Sequence, residues 1–182
     1  MTLPDPEPRE ALHRRSIELR GFRRDDGLYD VEARLVDTKS EDFFVDGGRI
    51  VPCGEPVHDM AVRLVVDEDL LVRQIFASTD ATPYAICPEA AGTLQCLTGL
   101  RIGPGWSTAV RERLAGAKGC THLTELLKPL ATVAYQTLWP VRSARPADAG
   151  RPAKIDSCFA YSSKRELVRR RWPEYYLGTG ED

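Results

Sequence analysis

A thiol, an imidazole and a carboxylate fall within six residues of one another at Cys120, His122 and Glu125, in the stretch Gly116-Ala-Lys-Gly-Cys-Thr-His-Leu-Thr-Glu-Leu-Leu127. A glycine-containing loop followed by a leucine-rich run reads as a helix start. Thr121 is then the expected N-cap and His122 the first helical residue. At about 100° per residue, Leu123, Leu126, Leu127, Leu130, Val133, Ala134 and Leu138 gather on one broad apolar side. His122, Glu125, Thr132 and Gln136 form a narrower polar stripe beside it. Groups of this kind bordering a core can move protons at a pocket wall. The same groups can also serve the helix alone, as a cap, a dipole partner and a carbonyl donor.

A second imidazole, His58, follows the bend Gly54-Glu55-Pro56. It shares the parity of Met60, Val62, Leu64 and Val66, so it is expected to face inward at the entrance of a strand. Asp59 has the opposite parity and reads as structural. Further proton-transfer groups at bends or element ends are Lys39, Asp80 and Tyr84. Tyr29, Phe44, Trp106 and Trp139 offer ring-sized walls. Cys120 at a helix start could be an activated nucleophile or a packed thiol. Asp80 could also cap the following helix, and Lys39 could pair with Asp37.

The elements that must position these groups change character along the chain. Ser16–Arg23 and Leu28–Thr38 alternate with period two around Asp25-Asp26-Gly27 and predict a hairpin. Glu18 and Arg20 facing Asp30, Glu32 and Arg34 suggest ion pairs across it. Phe43-Phe44-Val45 and Gly47-Gly48 suggest a smaller hairpin. The row Met60 to Val66, a turn at Asp67-Glu68-Asp69 and a return over Leu70–Ala77 make another. From Asp80 onward the pattern is helical: one helix from Thr82 to about Leu97, a second over Trp106–Leu114, and the long one from His122. Pro129 is expected to kink or split that last helix. Ser143–Pro152 reads as a surface loop, Ile155–Tyr161 as a returning strand, and the arginine-rich tail as a short helix or coil. Strands first and helices second predict an α+β fold, with an antiparallel sheet from the N-terminal half packed on a helical layer from the C-terminal half. A lead over 1–12 and one domain over 13–182 are expected.

Composition narrows the function classes. The 182 residues are 42% hydrophobic, enough for a real core, and 25 Lys+Arg against 27 Asp+Glu leave a net charge of -2. No basic field points to nucleic acid, and Arg169-Arg170-Arg171 reads as a solvated run beside Glu166 and Glu174. The start, Met-Thr-Leu-Pro-Asp-Pro, has no signal-peptide pattern and no apolar run is long enough to cross a bilayer, so a cytoplasmic protein is expected. Cys53, Cys87, Cys96, Cys120 and Cys158 include no CxxC pair, which argues against a structural metal site. Without a GxGxxG or P-loop pattern no nucleotide cofactor is expected, and self-association stays open.

Across nearly its whole length the chain resembles a bacterial family labelled only as a domain of unknown function. The resemblance is carried by the segments 23–39, Gly54-Glu-Pro-Val-His-Asp-Met60, Gly103-Pro-Gly-Trp106, 119–127 and Arg170-Arg-Trp-Pro-Glu-Tyr175. It implies a place in the breakdown of aromatic, lignin-derived compounds and kinship with γ-formaldehyde lyases acting on phenylcoumaran dimers. Such a reaction needs no redox cofactor. It needs a base, a proton donor and an apolar pocket for two rings. On that reading His58, His122, Glu125, Lys39 and Tyr84 are the catalytic candidates. Tyr29, Phe44, Trp106, Gln136, Asp80 and Cys120 are the substrate-binding ones, and neither metal nor cofactor is called for. Two alternatives remain open: a metal-dependent enzyme in which His58 and His122 join a carboxylate or Cys120, and a small-molecule binding protein without catalysis.

Overall fold

The computed structural model describes residues 3–145 and 150–178. They form two compact units, Met1–Arg142 and Ser143–Asp182. The first holds a four-stranded antiparallel sheet made of β1 (His13–Arg23), β2 (Tyr29–Lys39), β5 (Pro56–Val66) and β6 (Val72–Ala81), in the order β1-β2-β5-β6. Between β2 and β5 the chain makes the expected small hairpin, β3 (Phe43–Phe44) paired with β4 (Ile50–Val51). The fold is α+β, with the sheet from the N-terminal half packed against helices from the C-terminal half.

Alternation in the strands divides the sheet into two faces. Tyr29, Val31, Ala33 and Leu35 of β2 stand opposite Val66, Leu64, Val62 and Met60 of β5, and all eight are buried. Helix α2 (Thr121–Thr137) covers this face with Leu123, Leu126, Leu127, Leu130 and Ala134, and helix α1 (Trp106–Leu114) packs beside α2 and adds Trp106, Val110 and Leu114 to the same core. Each fully buried leucine contributes about 1.5–3 kcal/mol, and this packing fixes where the start of α2 lies. Gly21 of β1 is part of the fit: a Cβ there would overlap the Thr137 side chain. The opposite face is charged. Its hydrogen-bonded ion pairs run mainly between β2 and β5, from Arg34 to Asp59 and from Arg63 to Glu32, whereas Glu18 and Arg20 pair with each other along β1. The network expected between β1 and β2 is therefore displaced by one strand, because β5 supplies the nearer partners.

Two helical expectations are corrected. The segment after β6 is not an α-helix from Thr82 but a 3₁₀ run over Cys87–Leu97. Three residues per turn bring Leu94 and Leu97 onto one buried line, and Gly92 at its centre weakens any α-helical alternative. Gln95 Nε2 from this run donates to the Ile75 carbonyl of β6 at 2.8 Å. Second, α2 starts one residue early: Thr121 is helical and Cys120 is the N-cap, without a side-chain cap bond. Pro129 lies inside α2, which runs from Thr121 to Thr137 without a split. A short α3 (Trp139–Ser143) follows.

In the second unit, the strand expected over Ile155–Tyr161 is absent. Turns occupy the region instead, with Asp156 at φ 62° accepting from the Ser163 amide at 2.8 Å and Phe159–Tyr161 forming a 3₁₀ turn. A side chain that holds its own loop leaves the backbone no reason to extend. The arginine-rich tail is helical over α4 (Glu166–Arg171). Part of the proposed 143–152 loop, residues 146–149, lies outside the described residues, as do Met1 and Thr2 of the proposed lead.

Candidate functional site

Register alone places a charged row at one end of the inner face. Arg15 of β1, Asp37 of β2 and His58 of β5 are direct cross-strand neighbours, one step beyond the apolar row that ends at Leu35 and Met60. The pairing shifts between Asp37 and Thr38, a bulge at the rim of the sheet where side chains are commonly re-aimed. The first turn of α2 sits over this row and supplies His122 and Glu125.

Asp37 is the hub and is only 3% exposed. Its Oδ1 accepts from Arg15 Nε at 2.8 Å and from His13 Nε2 at 3.0 Å. Its Oδ2 accepts from Arg15 Nη2 at 2.8 Å and from His58 Nδ1 at 3.1 Å. His122 Nε2 stands 3.9 Å from the same Oδ2. The chain has three histidines, and all of them converge on this one carboxylate. Arg15 also donates from Nη1 to Glu125 Oε2 at 2.5 Å, tying α2 to the sheet. The imidazoles of His58 and His122 are stacked, with ring centroids 3.8 Å apart and planes tilted by 31°.

Burial would by itself raise the Asp37 carboxyl, but hydrogen bonds from Arg15 and its charge, aided by His13 and His58, outweigh it and hold the group at about 2. It is therefore an ionised acceptor at neutral pH, and His58 must carry its hydrogen on Nδ1, leaving the Nε2 lone pair free of Asp37. Both imidazoles are pushed below the ordinary value. For His58 the cause is burial first and then the neighbouring His122, against the pull of Asp37. For His122 it is burial and then Arg15, against Asp37 and Glu125. Two neutral, stacked imidazoles are the consequence.

His58 and His122 line one open pocket of about 520 Å³. Its other walls include Tyr84, Ile86, Thr93, Lys118 and Cys120, whose Sγ lies 4.0 Å from His122 Nδ1 and 4.0 Å from Met60 Sδ. Of the residues singled out from sequence, His58, His122, Tyr84 and Cys120 thus meet in one place. The others do not. Glu125 is on the rim and binds Arg15, not the pocket. Gln136 is exposed on α2, about 21 Å along its axis from His122 at 1.5 Å per residue. Tyr29 is buried at the far end of the β2 row, beside Val66. Trp106 is buried, donating to the Leu127 carbonyl at 3.2 Å, and borders a separate cavity with Val110 and Thr124. Phe44 is exposed on the small hairpin, where Lys39 Nζ lies 5.7 Å from the Phe43 ring. Asp80 is exposed on β6. Asp59, read as structural, is held by Arg34 on the opposite face at 2.8 Å.

Sequence reasoning missed Asp37, Arg15 and His13. The signal was present for Asp37, which has the parity of Tyr29, Val31, Ala33 and Leu35 and is therefore an inward carboxylate at the end of an apolar row. For Arg15 and His13 it required the β1–β2 register. Among the described residues, Asp37, His58 and His122 form a group whose donor atoms could hold a metal ion, all within 4.8 Å of one another. No described helix is long and apolar enough to cross a membrane.

No curated protein and no solved structure matches the chain. Residues 13–136, from the first residue of β1 to the last turn of α2, match the family model described as Protein of unknown function (DUF2889). That span contains every residue of the cluster around Asp37, and the chain belongs to this family.

Proposed function

We propose that this protein is a small-molecule enzyme, a cofactor-independent acid–base lyase that releases formaldehyde from a lignin-derived phenylcoumaran and leaves a stilbene. The observation that carries this reading is the bond from His58 to the buried Asp37, with His58 and His122 side by side on the wall of a pocket. A carboxylate that orients an imidazole through Nδ1 leaves Nε2 as a base, the relation used in nucleophile–histidine–aspartate sites. A volume of about 520 Å³ is in the range of pockets that take molecules of this size. Ile86, Pro83, Ala90 and Tyr84 give it apolar walls suited to aromatic rings.

In the reaction the substrate's phenolate pushes electrons to the α carbon and breaks its bond to the aryl oxygen, forming a quinone methide. His58 then takes the proton of the γ-hydroxyl. The Cβ–Cγ bond breaks to give formaldehyde, its electron pair forms the Cα=Cβ double bond, and the quinone methide returns to phenolate. The aryl oxide left by ring opening is met by a hydrogen bond from His122, whose ring stays neutral, and receives the proton that His58 took from the γ-hydroxyl. No electrons are gained or lost overall. The test is incubation of the purified chain with a phenylcoumaran, with formaldehyde trapped colorimetrically and the stilbene read by its absorption. Equimolar products support the reading. Folded protein that binds the dimer and returns it unchanged would leave a binding protein in its place.

A further inference from the structure

We propose that Asp37, His58 and His122 form a binding site for one divalent transition-metal ion of the zinc class. Two imidazoles and a carboxylate are the donor set that such ions take, and the three come from β2, β5 and α2, elements locked together by the core. Bonds of about 2.0–2.1 Å in a tetrahedral arrangement put donors about 3.3 Å apart. The observed separations from Asp37 Oδ2, 3.1 Å to His58 Nδ1 and 3.9 Å to His122 Nε2, lie on either side of that value. Hydrogen bonding accounts for the first distance and not for the second, which is too long for a hydrogen bond. The donor atoms of the three residues all lie within 4.8 Å of one another, close enough to converge on one ion.

The surroundings have what a ligand set requires. His13 holds Asp37 through Oδ1 and Arg15 holds it through both oxygens, as partners that orient a ligating carboxylate do. Both imidazoles also line the pocket beside them. Binding replaces the hydrogen on His58 Nδ1, which leaves as a proton. Cys120 Sγ approaches the other nitrogen of His122, Nδ1, at 4.0 Å and is not a ligand in this arrangement.

The site is the one used in the proposed lyase reaction, but metal binding requires no substrate and is read separately. Metal-stripped full-length protein, with thiols kept reduced, is titrated with Co²⁺ followed by visible absorption and with Zn²⁺ followed by calorimetry. One ion per chain is expected, with affinity lowered tenfold or more in His122→Gln and in His58→Gln, and changed less than threefold in Cys120→Ser. Circular dichroism confirms that the variants are folded. Absence of stoichiometric binding, the parent's affinity retained in both folded histidine variants, or loss of binding in Cys120→Ser overturns the site. An ion occupying these donors should also stop formaldehyde release. Turnover that rises with the ion would keep the site and overturn the cofactor-free reading instead.

Discussion

The imidazole of His58, on the third strand of the sheet, stacks at a tilt of 31° on that of His122, in the first turn of α2, at 3.8 Å between ring centroids. The residues are 64 positions apart in the chain. Two cationic rings at that distance would repel, so the stack persists because both are neutral, and both are held below the ordinary histidine value by burial.

Replacing either ring should therefore disable chemistry more than folding. His58→Gln and His122→Gln are each expected to lower formaldehyde release from a phenylcoumaran by about 10²–10⁴-fold, with an unchanged circular dichroism spectrum. Full turnover in both folded variants would eliminate a histidine mechanism.

Asp37→Asn should be a stability variant as well as an activity variant. It removes the charge that Arg15, His13 and His58 all address. Breaking a buried ion pair costs about 3–5 kcal/mol, and because Arg15 keeps part of its water contact the lower end, about 3 kcal/mol, is expected. Urea unfolding measures it, and a change within 0.5 kcal/mol, roughly the scatter of surface substitutions, would remove Asp37 from the hub.

Stability should fall on acidification in two stages. The histidines bind protons less readily folded than unfolded, so their contribution is complete above the ordinary value of 6.5 and declines as pH drops below it. Asp37 is held at about 2 against an ordinary 3.8, so its contribution is present above 3.8 and is lost as pH falls from there towards 2. Activity that needs neutral imidazole should keep its acid limb below pH 6.5. A limb above 6.5 in kcat/KM would contradict the depressed histidines.

Gly21→Ala tests the docking of α2 on the sheet. The new methyl group would overlap the Thr137 side chain, and overpacking of this kind costs about 1–3 kcal/mol. Thr137→Ala in the same chain should recover a large part of the loss. Equal thermal midpoints for Gly21→Ala and the parent would show that β1 and α2 do not touch there.

Period-two alternation over 16–38 and 60–77, and the leucine spacing after Cys120, sufficed to place the strands, the inward parity of His58 and the polar edge of α2, because side-chain direction follows from local geometry. The same logic did not reach the 3₁₀ run at Cys87–Leu97 or the turns at 155–161, where local bonds compete and neighbours decide. Nor could it separate Tyr29 and Trp106, which look like pocket walls in sequence, from core, since an inward aromatic is either one depending on what covers it. The site itself required tertiary structure. Arg15, Asp37 and His58 meet through strand register, and His122 joins them because α2 can bury its leucines only by laying its first turn over that end of the sheet. Spacing along a chain specifies faces, whereas the coincidence of three histidines on one carboxylate is set by packing across elements far apart in sequence.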